Sequence, residues 1–349
     1  MILNAIILTN SERIEYLKKL ILNLEFNDLN KIFIIQNGDI DNKDLLDLAS
    51  KKPNITLIPK YLNTGGTSGM FFLIKFLKKN FQEIKNQYFI ILDDDLILET
   101  NFQKKLELTI NYLINSITDH KFIILSHRVN RAEWTNQLKY GLLNYDLTDS
   151  VFNWSITKLI VNKFFKKKPT IADQGRVLIC ECDKAHFGGV IIRSNELKYL
   201  DLPEIGYQLY ADDHNLFRKL IKKGIPIYQS FILKIYDQDV INPVSQKSDK
   251  VNNQIQNIEF KGLNSLFHPF TDETKLFYQC RNHFLESINL KKTWFFYFNF
   301  IFYVFLNTSQ AIWKTLDVYF VSKRLFLLYS SIKSSKYLKK NLNENANYK

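Results

Sequence analysis

Cysteine is scarce. The chain of 349 residues holds three, Cys180, Cys182 and Cys280. So few, in odd number, make no disulfide framework and point to a reducing compartment. Cys180 and Cys182 flank a single residue, poor spacing for zinc, and read as small buried apolar side chains. No apolar run is long enough to span a bilayer. Met1 to Leu8 is apolar but lacks a basic leader and a small-residue cleavage site, so a first core strand is expected there rather than a signal peptide. No Ser-His-Asp or Cys-His signature of covalent catalysis is evident. Acidic residues run short, 35 against 47 Lys and Arg, for a net charge of +12. The excess is local: residues 291–349 carry ten Lys or Arg against Asp317 and Glu344, which is +8 of the total. The remainder is nearly balanced, which argues against a nucleic-acid-binding body.

Hydrophobic residues make up 46% of the chain. At this length that suits a globular protein with one sizeable catalytic domain and an appendage. Apolar stretches at Asn4–Leu8, Ile32–Ile35 and Ile55–Ile58 read as strands. Between them Ile14, Leu17, Leu20, Ile21 and Leu24 recur at helical spacing, and Leu45–Leu48 suggests a short helix. The turn Thr9-Asn10-Ser11-Glu12 is expected to cap the first helix. Strands alternating with helices predict a parallel sheet covered on both faces, a Rossmann-like nucleotide-binding layout in the first half.

The stretch with the most chemistry is Tyr88 to Leu98. Five apolar residues form a buried strand that stops at Asp93, Asp94 and Asp95. Three carboxylates at the end of a buried strand repel one another unless a cation lies among them. Mg2+ or Mn2+ takes such ligands and bridges them to substrate phosphates. The alternative is an acidic turn capping the next helix. Upstream, Asn63-Thr64-Gly65-Gly66-Thr67-Ser68-Gly69 leads into an apolar helix from Met70 to Leu77. Its glycines and the helix N-terminus would admit an anion, or simply make a tight strand-to-helix connection. No Gly-Lys-Ser/Thr follows, so it is not a Walker loop.

The order of these features resembles the family 2 inverting glycosyltransferases of GT-A fold. The turn Gln36-Asn37-Gly38-Asp39, the Asn-x-Gly-Gly-x-x-Gly loop and the Asp-rich strand end fit that pattern. So do His186-Phe187-Gly188-Gly189 leading to Arg193, and Asp212-Asp213-His214-Asn215-Leu216 through Lys223-Gly224. Phe277-Tyr278-Gln279-Cys280-Arg281-Asn282 is similar to a segment of the galactofuranosyl and rhamnosyl transferase branch. The resemblance covers about residues 1 to 285. It implies an α/β GT-A fold, a Rossmann-like mixed sheet flanked by helices, followed by a helical, aromatic-rich C-terminal extension. The catalytic domain would be 1–285, with a nucleotide-sugar half 1–98 and an acceptor half 99–285, and the extension 286–349.

The resemblance also implies roles. Inverting transfer needs a general base for the acceptor hydroxyl and positive charge for the departing diphosphate. Asp213 is the expected base, with Asp212 orienting it; the alternative is that both cap their helix. Thr9, Glu12, Gln36, Asn63, Gly65, Gly66, Gly69, Asp93 and Asp94 are expected around the donor. Mn2+ or Mg2+ would be held by Asp93 and Asp95. Where the family supplies a metal-binding His, the chain has Asp237-Gln238-Asp239, so Asp237 is the expected third ligand, ahead of Asp239 and His268. Trp134, Trp154, His214 and Arg281 are candidates for the acceptor; core packing is the commoner role of a Trp. His120, His127 and His283 are expected to be structural. Gln36 stands where the family has Asp, which leaves the nucleotide open, UDP ahead of dTDP.

After Asn282 the composition shifts. Trp294 to Leu306 is aromatic and apolar apart from Asn299, and Lys291-Lys292 precede it. Such a helix suits a membrane interface, a core packing face or a homo-oligomer contact. The function expected is metal-dependent transfer of a hexose, galactofuranose or rhamnose first, from a nucleotide sugar to a cell-surface polysaccharide or lipid-linked glycan. Another UDP-hexose, or a catalytically idle scaffold, is the alternative. The expected location is cytoplasmic, peripheral on the inner face of the bacterial membrane.

Overall fold

The computed structural model describes residues 1–9, 13–37, 43–61, 66–81, 86–130, 151, 156, 172–173, 178–182, 185–203, 207, 212–238, 265–268, 271–289 and 294–346. The chain forms two compact units. The first comprises Met1–Tyr145, Lys168–Ile205 and Asp213–Asn242, and the second Asp146–Lys167, Gly206–Asp212 and Pro243–Lys349.

The first unit is an α/β sandwich around one mixed sheet. Its elements are β1 (Ile2–Thr9), α1 (Ile14–Phe26), β2 (Ile32–Asn37), α2 (Lys43–Ser50), β3 (Ile55–Tyr61), α3 (Gly66–Phe81) and β4 (Gln87–Asp93). There follow β5 (Leu96–Leu98), α4 (Phe102–Ser116), β6 (Ile123–Arg128), β7 (Ala172–Asp173), β8 (Leu178–Cys182) and β9 (Val190–Arg193). A 3-10 turn Ser194–Tyr199, α5 (Asp212–Lys222) and β10 (Ile227–Asp237) complete it. Strand order is β3-β2-β1-β4-β9-β6-β10-β8-β7, with β5 pairing β10. The four strands β3, β2, β1 and β4 run parallel to one another, as the alternation of strands and helices predicts. β9 is antiparallel to both β4 and β6 and makes the sheet mixed.

Both faces are covered, so the central strands are continuously apolar rather than alternating. Alternate residues still serve different layers. Leu3, Ala5 and Ile7 of β1 meet Leu17, Leu20 and Leu24 of α1 in a core that α4 joins through Phe102 and Leu106. Ile6 faces the other way, into a core completed by Leu73 and Leu77 of α3 and by Leu216 and Phe217 of α5.

The second unit is helical. It contains a 3-10 turn Ser265–Phe267, α6 (Glu273–Asn289), α7 (Trp294–Thr315) and α8 (Val318–Ala346). Its core joins Leu276, Cys280 and Phe284 of α6 to Phe296 and Tyr303 of α7 and Val321 of α8. Arg324 of α8 is buried, and its guanidinium donates to the carbonyl oxygens of Thr271 at 2.9 Å and His268 at 3.3 Å, which ties α8 to the segment ahead of α6. Asn299, which breaks the aromatic run, points inward and accepts the Ile156 N–H at 3.1 Å. A polar residue in a buried seam needs such a partner.

His127 is a core residue, as expected. It is buried on β6, edge-on to the Phe231 ring, with Nδ1 3.4 Å from Gln229 Nε2. Burial first, and Lys234 second, push its imidazole down to about 4 from an ordinary 6.5. Between those values the folded state binds fewer protons than the unfolded chain. Stability present above pH 6.5 is therefore lost as the pH falls toward 4, by on the order of 3 kcal/mol. Urea unfolding at about pH 7 and about pH 5 checks this: His127→Gln should lose less stability across that interval than the native chain.

Candidate active site at the carboxyl edge of the sheet

In an open α/β sheet ligands gather beyond the carboxyl ends of the parallel strands. The register here brings chemistry to that edge. Gln36 at the end of β2 pairs with Thr9 at the end of β1, and Leu8 pairs with Asp93 at the end of β4. Because β9 runs against both β4 and β6, β6 runs with β4, and β10 runs with β6. Arg128 and Asp237, the last residues of β6 and β10, therefore reach the same edge. A bulge helps. Ser230 pairs with Ser126, but the next partner of β6, His127, is Lys234. The three residues absorbed there set Ile235 opposite Arg128 and so bring Asp237, two residues on, within its reach, the kind of re-aiming that bulges provide.

Asp94 and Asp95 form the turn between β4 and β5. The Gln238 N–H donates to the Asp95 carbonyl at 2.7 Å, and its side-chain amide to the Tyr16 carbonyl at 3.0 Å, so β10 and α1 hold the turn. The carboxylates then divide between two guanidinium groups. Arg13 donates to Asp95 Oδ2 at 2.9 Å and lies 3.4 Å from Asp94 Oδ1, while the Thr9 hydroxyl donates to Asp94 Oδ2 at 2.8 Å. Arg128 donates to Asp237 Oδ1 through one nitrogen and lies 3.4 Å from Asp93 Oδ2 through another. Asp237 is completely buried, and a buried carboxylate needs such a partner.

Asp93 is poised differently. Loss of hydration pushes its carboxyl up to about 6; Arg128 opposes this, and the negative charges of Asp95, Asp94 and Asp213 add to it. Asp213 is half-buried in the first turn of α5, where the helix dipole favours a carboxylate. Its charge registers at Asp93, so the two aspartates that the sequence separates by more than a hundred residues share one electrostatic site. Gly188 closes that site from the start of β9. A Cβ there would stand 2.5 Å from Asp93 Oδ2 and 3.2 Å from Arg128 Nη1.

Among the described residues, no three side chains of Asp, Glu, His or Cys are grouped so as to hold a metal ion by themselves. What fits instead is an open site. Asp95 Oδ1 is buried without a hydrogen-bond partner, and Mg2+ or Mn2+ commonly takes one or two carboxylates and completes its shell with water and substrate phosphates.

The other expected residues fall as follows. Asp212 and His214 share the first turn of α5 with Asp213. Glu12, Asn63, Gly65, Trp134, Trp154 and Asp239 lie outside the described residues. Helix α3 starts at Gly66, four residues before the expected Met70, so Gly66 and Gly69 belong to its first turn and not to a loop. The expected cap of α1 also differs. Arg13 holds the capping position without a side-chain cap bond, since a guanidinium has no acceptor to offer, and the Thr9 hydroxyl is bonded to Asp94. Arg281 and His268 belong to the second unit. Arg281 is buried on α6, 4.7 Å over the Tyr278 ring, and its Nε donates to Asn282 Oδ1 at 3.0 Å.

Two residues of the site are absent from the sequence reading, Arg13 and Arg128; Gly188 stood there only as part of the His186-Phe187-Gly188-Gly189 motif, without a contact of its own. Arg128 carried a usable signal, a charge ending a wholly buried strand, the same signal that marks Asp93. Arg13 carried none, because what it meets is distant in sequence.

No known protein family matches the chain, and no curated protein matches it by sequence. Among solved structures it is similar to S. aureus TarS, with 13% identity and a TM-score of 0.44 over 96% of this chain and 55% of that one. It is similar also to GalNAc-T7, crystallised with UDP, GalNAc and Mn2+, with 12% identity and a TM-score of 0.46 over 88% of this chain and 57% of that one. HddC from Yersinia pseudotuberculosis matches 36% of this chain and 58% of its own, at 13% identity and a TM-score of 0.25. The chain thus spans a little over half the length of these structures.

Two substitutions test the geometry. Arg128→Met should cost about 3–5 kcal/mol by leaving Asp237 buried without its guanidinium, and the double variant Arg128→Met/Asp237→Asn should lose less; urea unfolding measures both. Gly188→Ala should cost about 1–3 kcal/mol, since Asp93 and Arg128 must move apart to admit the methyl group.

Proposed function

We propose that the chain is an inverting glycosyltransferase that uses a nucleotide-diphosphate sugar. The observation that carries this reading is the meeting at one sheet edge of Gln36, Thr9 and Asp93, with the charge of Asp213 felt at Asp93. A nucleoside would lie over the ends of β1 and β2, where the Gln36 amide offers a donor and an acceptor to a base edge. The diphosphate would then reach the turn at Asp93–Asp95. Glu12, Asn63 and Gly65 complete the donor site in this reading.

Asp213 accepts the proton of the acceptor hydroxyl as its oxygen attacks the anomeric carbon. The bond to the diphosphate breaks on the opposite face, so configuration inverts and no covalent enzyme intermediate is needed. Asp212 orients Asp213. Arg13 and Arg128 keep the carboxylates in place. Asp93 and Asp95 would hold Mn2+ or Mg2+, which supplies positive charge for the departing diphosphate. Asp237, expected as a third ligand, serves here to fix Arg128.

The sugar proposed is a hexose, galactofuranose or rhamnose first, carried by UDP ahead of dTDP. The acceptor is a hydroxyl of a cell-surface polysaccharide or lipid-linked glycan, and the reaction takes place in the cytoplasm. His214, Trp134 and Trp154 are proposed acceptor contacts.

Nucleotide release tests the reading. UDP-galactofuranose, other UDP-hexoses and dTDP-rhamnose are each incubated with the purified chain, with Mn2+ or with chelator. One donor should be consumed in a metal-dependent way. Asp95→Ala should abolish release, and Asp213→Asn should lower turnover by about 10²–10⁴-fold while donor binding by calorimetry is retained. No release from any donor, with no metal-dependent donor binding, would make the chain a scaffold and not an enzyme.

A further inference from the structure

The most exposed large apolar side chains among the described residues stand at one corner, where α7 gives way to α8. Trp313 is 82% exposed, Leu316 84% and Tyr319 81%. The corner is well defined. The Leu316 N–H donates to the Ile312 carbonyl at 2.9 Å, and Asp317 Oδ1 accepts the Phe320 N–H at 2.8 Å, capping α8. Leu316 has a φ of 52°. That left-handed conformation costs an L side chain on the order of 1–2 kcal/mol, and a helix stop usually uses Gly or Asn there. A strained backbone that presents a leucine to water is not explained by stability, which points to a use for the exposed side chain.

The apolar surface continues from this corner. Along α7 the outward face carries Trp294, Phe298, Ile301, Phe305 and Ile312 at helical spacing, opposite the buried Phe296, Asn299 and Tyr303. Along α8 the outward face mixes aromatic rings with cations: Phe326 and Tyr329 are exposed, and so are Lys323, Lys333 and Lys336. Lys323 pairs with Glu273 at 2.8 Å. Neither helix is long and apolar enough to cross a membrane.

We propose that this face of α7 and α8 docks on the surface of an anionic lipid bilayer. Trp313, Leu316 and Tyr319 enter the headgroup region, and Lys333 and Lys336 lie over lipid phosphates, Lys323 being held by Glu273. Trp and Tyr suit that depth, apolar at one end and polar at the other. Charge decides between a bilayer and a second copy of the chain. A two-fold contact would set one cationic face against another, whereas an anionic leaflet attracts each nearby Lys or Arg by about 1 kcal/mol. The helices would lie in the plane of the interface, as amphipathic anchors do.

Vesicle flotation with the full chain tests this. Phosphatidylcholine vesicles are compared with vesicles in which phosphatidylglycerol replaces a third of the lipid, and light scattering reads the mass of the free protein. The chain should bind the anionic vesicles and far less the neutral ones. Trp313→Ser and Leu316→Gly should each weaken binding about tenfold, and Leu316→Gly should do so without lowering the melting temperature, since glycine accepts the left-handed backbone. Asp95→Ala should bind vesicles as the native chain does, so this result stands apart from the transferase reading. No binding to anionic vesicles, binding unchanged by both corner variants, or a dimer that Leu316→Gly splits would overturn the proposal.

Discussion

The arrangement at the sheet edge depends on one buried ion pair, Arg128 with Asp237. Asp237 has no exposure to water, and an isolated carboxylate in such a place would take up a proton rather than remain charged. The guanidinium bonds it and, through its other nitrogen, lies 3.4 Å from Asp93. Arg13 pairs with Asp95 at 2.9 Å and with Asp94 at 3.4 Å. Two cations are thereby spread among four clustered carboxylates, with Asp213 adding a fifth negative charge close enough to raise Asp93. The balance is left negative, and under the proposed reading a hard cation would have to offset it before a diphosphate could bind.

Backbone geometry makes the pair possible. Arg128 and Asp237 end neighbouring parallel strands, yet regular pairing onward from Ser230 would have carried Asp237 well past Arg128. The bulge between Ser230 and Lys234 takes up three residues and sets Ile235 opposite Arg128, which brings Asp237 within reach. Gly188, just ahead of β9, lets the backbone pass close to Asp93 and Arg128, where a Cβ would stand 2.5 Å and 3.2 Å from them. The turn at Asp94 and Asp95 is tied to β10 by the Gln238 N–H, which donates to the Asp95 carbonyl, while the Gln238 side chain donates to the Tyr16 carbonyl of α1. Thus the carboxylates are carried on strand ends and a stapled turn, not on a free loop, and their spacing follows from the sheet.

The helical unit follows a different logic. Its core uses a narrow inward stripe of α7, and the inward-facing Asn299 is satisfied by a backbone N–H. The outward side of the same helix is as apolar as the inward one. A helix apolar all round is normally covered on every side, so composition and exposure disagree there.

Much of this was legible in the chain itself. Buried strands of the α/β unit announced themselves as apolar runs, because a sheet covered on both faces has no polar side to interrupt them. Asp93 to Asp95 stood out because charge at the end of such a run is costly without a partner. Helix periodicity located α1 and the core of α3, though the true start of α3 at Gly66 came earlier, since glycines weaken the helical pattern without preventing the helix. Local sequence could not supply partners. That Thr9 and Arg13 serve the aspartates and not the cap of α1, that Arg128 stands between Asp93 and Asp237, and that Asp213 is felt at Asp93 all depend on strand order and on a bulge. Those are decided by long-range pairing, in which residues a hundred or more apart are set side by side. The sequence determined which segments are strands and helices and where the acids lie; the tertiary structure alone decided which cation neutralises which acid, because that depends on distances that periodicity and spacing do not encode.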